Sequence, residues 1–368
     1  MKKINLLLLS LIVVILYSCK TASVYTNVLV PAQITIPQHI QSVGILNRSL
    51  PGKGEGWRNF LEGFISGESI MADREGSYNV CKGLAFKINT NPRFKAYLME
   101  GEDFRGTGTK VFPIPLTWEE VDYLCNKYKV DAIVVLETFD SDIMRASRSR
   151  KVERTVQGEK VMVTEFLEDL NIRVNAGWRV YDNINKKIID QDVFYDEKAW
   201  NTVGNTPEEA VRKLPSKRGA INDAGYFAGE MMGVRISPNW VRVSRYYYKK
   251  GDDRLVNAKR FVKVNNWKEA VVLWSQSAKS PDHKIAGRAC HNMALAAEME
   301  GELNIALEWA NKAYKEHFLK KERAYINELN LRLMEVDKLK ENCLNRVTDI
   351  IFVYLCAVRQ KRTAFFII

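Results

Sequence analysis

Apolar residues in the first part of the chain form short continuous runs. Between these runs lie segments in which apolar residues recur at helical spacing. Residues 43–46 and 132–136 are unbroken apolar runs of the kind found in strands that are buried on both faces. Between them, Val80, Leu84 and Ile88 recur at helical spacing, and residues 57–65 are predicted as a further helix. This order of strands and helices predicts a layered α/β domain.

A third helix and a further strand are predicted from the residues that follow. Thr117 and Glu120 have the spacing of a capping box, which predicts a helix that begins at residue 118. Apolar and polar residues alternate strictly between positions 170 and 180, so one face is predicted to be buried and the other, which carries Arg179, to be wet. Residues 188–195 return as the second arm of a hairpin. A mixed sheet with flanking helices is therefore the predicted fold of residues 42–250.

A row of small residues marks the helix predicted over residues 217–234. Gly225, Gly229 and Gly233 lie four apart, which permits close backbone contact with a neighbouring element. Charged residues on the same helix exclude burial in lipid, so we expect the glycine row to pack on the sheet. Residues 240–248 are predicted as a last strand or as an aromatic stretch that leads into the second domain.

Residues 251–341 contain an internal repeat. The pattern Trp267, Ala270, Trp274, Ser277 recurs 36 residues later as Leu303, Ala306, Ala310, Ala313. Small residues at these places let two helices touch, and the pattern resembles the tetratricopeptide repeat. The residues that satisfy it are Ala258, Ala270, Trp274, Ala294, Gly301, Ala306 and Ala313.

The resemblance implies an all-α domain of two repeats, capped by a helix over residues 320–339. A plain bundle of helical hairpins is the alternative. Either arrangement predicts a protein-binding module, because stacked helix pairs create a concave groove for a protein partner and bring no reactive group with them.

The N-terminus has the pattern of an export signal. Lys2 and Lys3 precede an apolar run over residues 6–16, which has signal-peptide length and is shorter than the roughly 20 residues that a spanning helix needs. Leu16 and Ser18 then precede Cys19.

These residues resemble the bacterial lipobox, in which cleavage before the cysteine leaves it to carry acyl chains. The resemblance implies a lipoprotein signal peptide over residues 1–18 and a lipidated N-terminus and tether over residues 19–41, attached to the membrane through Cys19. The prolines of the latter segment also allow an edge strand. An ordinary secretory signal, with Cys19 incidental, is the alternative.

Charge favours acidic partners without identifying one. Lys and Arg exceed Asp and Glu by 55 to 44, a formal net charge of +11. We predict no nucleic-acid partner, because no recognised binding module accompanies the charge. The basic run over residues 145–154 suggests either a finger for anionic lipid or a solvated hairpin tip, and we favour the tip.

The six cysteines show no CxxC spacing, which argues against a zinc site or a disulfide framework. Cys81 and Cys125 have apolar neighbours and are predicted to be buried, and a bridge between them stays open. Residues 342–368 form an atypical apolar and basic tail that we leave unassigned.

Candidate chemistry is confined to one acidic cluster. Glu137, Asp140 and Asp142 follow the buried strand directly, where α/β proteins often place their sites, and three carboxylates could hold a divalent cation. A metal-assisted hydrolase is therefore the alternative function. We favour polar residues that close a strand, and we predict no catalytic residue, metal or cofactor.

The layout resembles a known class of proteins. A Val-Gly-Ile-Leu strand at 43–46, two helix and strand units, a Tyr-Asp hairpin and a Gly/Ala-rich helix resemble the curli-assembly-type and TolB-N-terminal-type periplasmic lipoprotein domains. With its repeats, the chain is similar to uncharacterised Gram-negative envelope lipoproteins. The resemblance implies an outer-membrane lipoprotein that faces the periplasm and binds or scaffolds another protein.

Overall fold

The computed structural model describes residues 20–50, 67–90, 93–108, 110–156 and 158–342. The chain divides into two compact units. The sheet unit comprises Ala32–Asn239, and the helical unit combines the chain up to Pro31 with the chain from Trp240 onward. The predicted order of a sheet-rich part followed by a mostly helical part is confirmed.

A five-stranded mixed sheet organises the sheet unit. The strand order is β3-β2-β4-β5-β6. Parallel pairing joins β2 to both β3 and β4, and antiparallel pairing joins β4 to β5 and β5 to β6. The strands are β2 (Ser42–Asn47), β3 (Lys95–Leu98), β4 (Ala132–Val156), β5 (Glu159–Asp182) and β6 (Lys187–Gly204).

Helices cover both faces of the sheet. Helices α1 (Gly67–Asn89), α2 (Trp118–Tyr128), α3 (Pro207–Arg212) and α4 (Lys217–Ile236) belong to this unit. One core joins α1 and α4 to the strand face that carries Ile172 and Trp178, and a second core joins α2 to the opposite face. The predicted capping box of α2 is present, since the Thr117 and Glu120 side chains each bond the other's backbone N–H.

The predicted wet face of β5 is wrong at one end. Arg179 is 2% exposed, because residues 112–116 and α2 cover this side of the sheet near the end of the strand. Its guanidinium donates to the Pro113 carbonyl oxygen and to the Glu137 carboxylate. Alternation gave the buried face correctly, but it cannot show that a segment distant in the sequence covers the other face.

The glycine row of α4 packs on a helix, not on the sheet as predicted. A Cβ at Gly229 would overlap the Val80 carbonyl oxygen of α1 and lie 2.7 Å from the Leu84 nitrogen. A Cβ at Gly225 would lie 2.6 Å from the Gly76 carbonyl oxygen of α1. The alanines of the adjoining row, which include Ala224, enter the sheet core. Small residues therefore allow α1 and α4 to pack backbone against backbone.

The basic run lies on the hairpin that joins β4 to β5, as the favoured interpretation predicted. Its strands pair from Ala132↔Asp182 to Val156↔Glu159, so the strand predicted over residues 170–180 begins earlier, at Glu159. Acidic residues of β5 neutralise several of the arginines. The ion pairs are Arg145 with Glu168, Arg148 with Asp169, and Arg150 and Arg154 with Glu165.

The described residues of the helical unit form a two-stranded sheet and five consecutive helices. The strands are β1 (Thr21–Val30) and β7 (Asn239–Tyr248). The helices are α5 (Asp253–Lys263), α6 (Trp267–Ser277), α7 (His283–Glu300), α8 (Leu303–Lys315) and α9 (Glu322–Asn342). Of the two alternatives for the residues after Cys19, the edge strand therefore matches residues 21–30.

Each helix from α5 to α9 packs on its neighbours in the sequence. Small side chains occupy these contacts, since Ala258, Ala270, Ala294, Ala306 and Ala313 are all 0% exposed. Trp274 is also fully buried, and Gly301 ends α7 with a φ of 84°. The left-handed conformation at this position explains why glycine occupies it.

Several predictions lie outside the described residues. They are the signal peptide over residues 1–18, the lipidation site Cys19, the helix predicted over residues 57–65, and the tail from residue 343 onward. Among the helices that the structure does describe, none is both long enough and apolar enough to cross a membrane.

Candidate functional site

The face of α7 and α9 that binds β7 carries a cluster of buried polar residues. Asn292 of α7 binds both backbone groups of one β7 residue. Its Oδ1 accepts from the Tyr248 N–H at 2.8 Å, and its Nδ2 donates to the Tyr248 carbonyl oxygen at 2.8 Å. Asn292 is fully buried, so these two bonds are shielded from water.

His291 lies beside Asn292 and joins both helices to the strand. Its Nε2 lies 2.9 Å from the Tyr246 carbonyl oxygen, and its Nδ1 lies 2.9 Å from the Glu322 carboxylate of α9. Both ring nitrogens therefore face oxygen atoms, one of the main chain and one of a carboxylate. The Tyr246 ring stacks on the imidazole at 4.5 Å.

An ion-pair network closes the other end of this face. Arg245 of β7 binds Glu298 of α7 at 2.9 Å and Glu328 of α9 at 3.0 Å. The Tyr325 hydroxyl donates to Glu298 at 2.6 Å. Burial, together with the charge of Glu298, raises the pKa of Tyr325 far above its usual range, so the phenol stays protonated as a donor.

The same face also holds the end of the strand. Arg288 of α7 donates to the Lys250 carbonyl oxygen at 2.8 Å, and its guanidinium lies over the Tyr248 ring. Residues 288, 291, 292 and 298 are spaced so that they share one side of a helix. We name this set, with Glu322 and Tyr325 of α9, the strand-binding face. It binds the strand through its main chain and through the side chains of Arg245, Tyr246 and Tyr248.

The strand-binding face was missed in the sequence. A polar stripe over residues 288–298 within an otherwise alanine-rich helix was the available signal, together with the run Tyr246–Tyr247–Tyr248. Neither pattern predicts that the two segments bind each other, because the contacts join residues more than 40 positions apart in the chain.

The acidic cluster is not assembled into a metal site. Strand β4 continues through all three residues, so they do not follow the end of a strand as predicted. Glu137 is fully buried and binds Arg179 at 2.8 Å, Arg48 at 3.2 Å and the Tyr181 hydroxyl at 3.2 Å. Burial raises the pKa of Glu137, and the two arginines oppose this change.

Asp140 and Asp142 have separate partners. Asp140 pairs with Lys110 at 2.9 Å, and Asp142 is exposed opposite Arg173. Within the described ranges, no group of three or more His, Cys, Asp or Glu residues could hold a metal ion. The geometry thus gives Glu137 a structural role, and the metal-assisted hydrolase stays a hypothesis.

The described cysteines are buried thiols. Cys81, Cys125 and Cys290 are free, so the structure does not contain the Cys81–Cys125 bridge. Burial raises the pKa of Cys81 and of Cys125 to about 12 and that of Cys290 to about 11. Thiols of this kind are poor nucleophiles at neutral pH.

A cavity of about 610 Å³ lies at the carboxyl ends of β2 and β3. Its floor is apolar, with Ile45, Leu98 and Met99. The carboxylates on its rim already have partners, since Glu75 pairs with Arg218 and Glu102 with Lys127. This arrangement points to no particular ligand.

Comparisons with solved structures found distant likenesses. The PelC dodecamer of Paraburkholderia phytofirmans is 6% identical with a TM-score of 0.22, over 58% of this chain and 100% of that one. A Helicobacter pylori homologue of the neuraminyllactose-binding hemagglutinin is 10% identical with a TM-score of 0.24, over 55% and 87%. No curated protein matches the sequence.

Two family models match the chain, and their limits follow the change from sheet to helices. The model named Domain of unknown function (DUF6340) matches residues 256–331. The model named Domain of unknown function (DUF8603) matches residues 40–248, which is more than half of the chain. The chain belongs to the DUF8603 family.

Proposed function

We propose that this chain is an envelope lipoprotein, anchored to the outer membrane through Cys19 and facing the periplasm, that binds or scaffolds another protein. The lipobox-like residues that end at Cys19 support the anchor. The sheet unit is, in this proposal, a domain of the curli-assembly and TolB-N-terminal type.

The helical unit is the protein-binding part in this proposal. We infer that α5 with α6, and α7 with α8, are two tetratricopeptide-like repeats capped by α9. The small residues buried between the helices, such as Ala270 and Ala306, support this assignment. Repeats of this kind bury their surfaces only against neighbours, which leaves the other helix faces available.

The observation that carries the proposal is how the helical unit holds its own extended strand β7, with two bonds from Asn292 to the backbone of Tyr248. A carboxamide that binds both groups of one residue recognises an extended main chain with little regard to its side chains. Because β7 fills these groups, the proposal places the partner on the exposed helix faces that carry Val272 and Ile305.

Site-specific crosslinking in cells tests the proposed binding part. A photoreactive residue replaces Val272 or Ile305, which are 51% and 45% exposed on the helical unit, or Tyr195, which is 66% exposed on the sheet unit. We expect a crosslinked protein of one defined mass from Val272 and Ile305. Crosslinks from Tyr195 alone, or from none of the three, would contradict the proposal.

Fatty-acid labelling tests the anchor. The wild-type chain should incorporate a labelled fatty-acid analogue and sediment with the outer membrane, because several acyl chains give stable attachment. Cys19→Ala should lose both properties, while Cys81→Ala, at a buried thiol, should keep them. Equal labelling of wild type and Cys19→Ala would remove the anchor from this account.

A further inference from the structure

Two histidines of the helical unit meet at its surface, away from the strand-binding face. His283 begins α7, and His317 follows α8. Their Nδ1 atoms lie 3.3 Å apart, with the ring centroids 5.5 Å apart. Neither residue takes part in the contacts that bind β7.

The fold holds both imidazoles in place. The Asp282 carboxylate accepts from the Lys284 N–H at 2.7 Å, which fixes the start of α7 and so the position of His283. His317 packs against Gly287, one turn further along α7, where an added Cβ would lie 3.0 Å from the His317 Cβ. Because Gly287 has no side chain, His317 can pack closely against α7 at this position.

The residue after His317 completes the arrangement. Phe318 has a φ of 56°, a left-handed conformation that non-glycine residues adopt only when the surroundings require it. Its ring lies 6.1 Å from that of His283. The Phe318 ring thus lies beside one imidazole of the pair.

The spacing of the two nitrogens matches a metal site. Two ligands at about 2.05 Å in tetrahedral geometry are about 3.3–3.4 Å apart, and the observed Nδ1–Nδ1 separation is 3.3 Å. Imidazole is a preferred ligand of Ni²⁺, Cu²⁺ and Zn²⁺.

We propose that His283 and His317 form a binding site for a borderline divalent metal ion of the Ni²⁺, Cu²⁺ and Zn²⁺ class, held by the Nδ1 atoms of both rings. Water occupies the other coordination positions, since the described residues contain no group of three or more candidate ligands. The metal would join the start of α7 to the end of α8.

Titration with Ni²⁺ tests the site directly. The untagged full-length chain should bind one Ni²⁺ at this site in a calorimetric titration at pH 7.5. His283→Ala and His317→Ala should each weaken binding by about tenfold or more. His39→Ala is the matched control, because His39 lies in the sheet unit, where it pairs with Asp182.

Cu²⁺ paramagnetic resonance provides a second readout that does not depend on affinity. The wild-type spectrum should show coupling to two imidazole nitrogens, and each single variant should show one. Circular dichroism would confirm that the variants remain folded, as expected for one exposed and one half-buried side chain. Unchanged Ni²⁺ affinity in both single variants, or equal binding by wild type and His283→Ala/His317→Ala, would overturn the proposal.

Discussion

At the residue scale, two fully buried polar side chains, Asn292 and Glu137, have partners for their polar atoms. Asn292 binds the backbone of Tyr248, and Glu137 binds Arg48 and Arg179. Buried polar groups cost free energy when a partner is removed, because the remaining group has no water to replace it. Substitutions at these positions should therefore act on stability.

Asn292→Ala should lower the free energy of unfolding of the helical unit by about 2–4 kcal/mol, since it leaves the buried N–H and C=O of Tyr248 without partners. Urea denaturation followed by circular dichroism measures the change. The control is Asn257→Ala, at an exposed position of α5, which should change stability by less than about 0.5 kcal/mol. Equal effects of the two substitutions would show that the strand-binding face contributes little.

Glu137→Gln should destabilise the sheet unit by about 3–5 kcal/mol, because Arg179 and Arg48 lose their counter-charge in a buried site. Asp142→Asn, at an exposed position of the same strand, should have almost no effect. Thermal unfolding of both variants provides the comparison. A fully stable Glu137→Gln chain would restore the case for a functional carboxylate.

At the element scale, the sequence predicts those features that depend on residues close together in the chain. The Thr117 capping box and the alternation up to Val180 were predictable, because both depend on residues a few positions apart. The pairing of β1 with β7 joins segments about 200 residues apart, and no periodicity records it. The burial of Arg179 and the contact of Gly229 with α1 also depend on contacts between segments that are distant in the sequence.

Gly229→Ala should destabilise the chain by about 1–3 kcal/mol or more, because its Cβ would overlap the backbone of Val80 in α1. Helix propensity alone would favour alanine, so the sign of the result separates packing from propensity. Gly219→Ala in the first turn of α4 is the control, since its Cβ meets only the Ser216 hydroxyl at 3.1 Å. Chemical denaturation should rank the control as the more stable variant.

At the scale of the whole molecule, one unit is built from both ends of the described chain. Val24 of β1 packs against the core formed by helices α5–α8. The start of β1 meets the end of β7, where the Lys249 N–H donates to the Lys20 carbonyl oxygen at 3.0 Å. Arg332 of α9 donates to the Leu29 carbonyl oxygen at 3.0 Å. The helical unit is therefore incomplete without residues 21–30.

Val24→Asp should raise amide hydrogen exchange in α5–α8 by about tenfold or more, because it places an unpaired carboxylate against an apolar core. Exchange in β5 of the sheet unit should stay unchanged. Ser23→Asp, whose side chain is exposed, should leave both units as they are. Hydrogen exchange with mass spectrometry compares the wild-type chain with both variants. Equal protection of α5–α8 in the two variants would contradict this role of β1.

The position of β1 also determines how much flexible chain would separate the proposed anchor from the folded unit. Only Lys20 separates Cys19 from the first residue of the strand, and two residue steps of extended chain span about 7 Å. A lipid on Cys19 would therefore attach the helical unit almost directly to the bilayer surface, without a flexible leash. A binding partner would have to come to the membrane, because the helical unit has no length of chain with which to reach out to it.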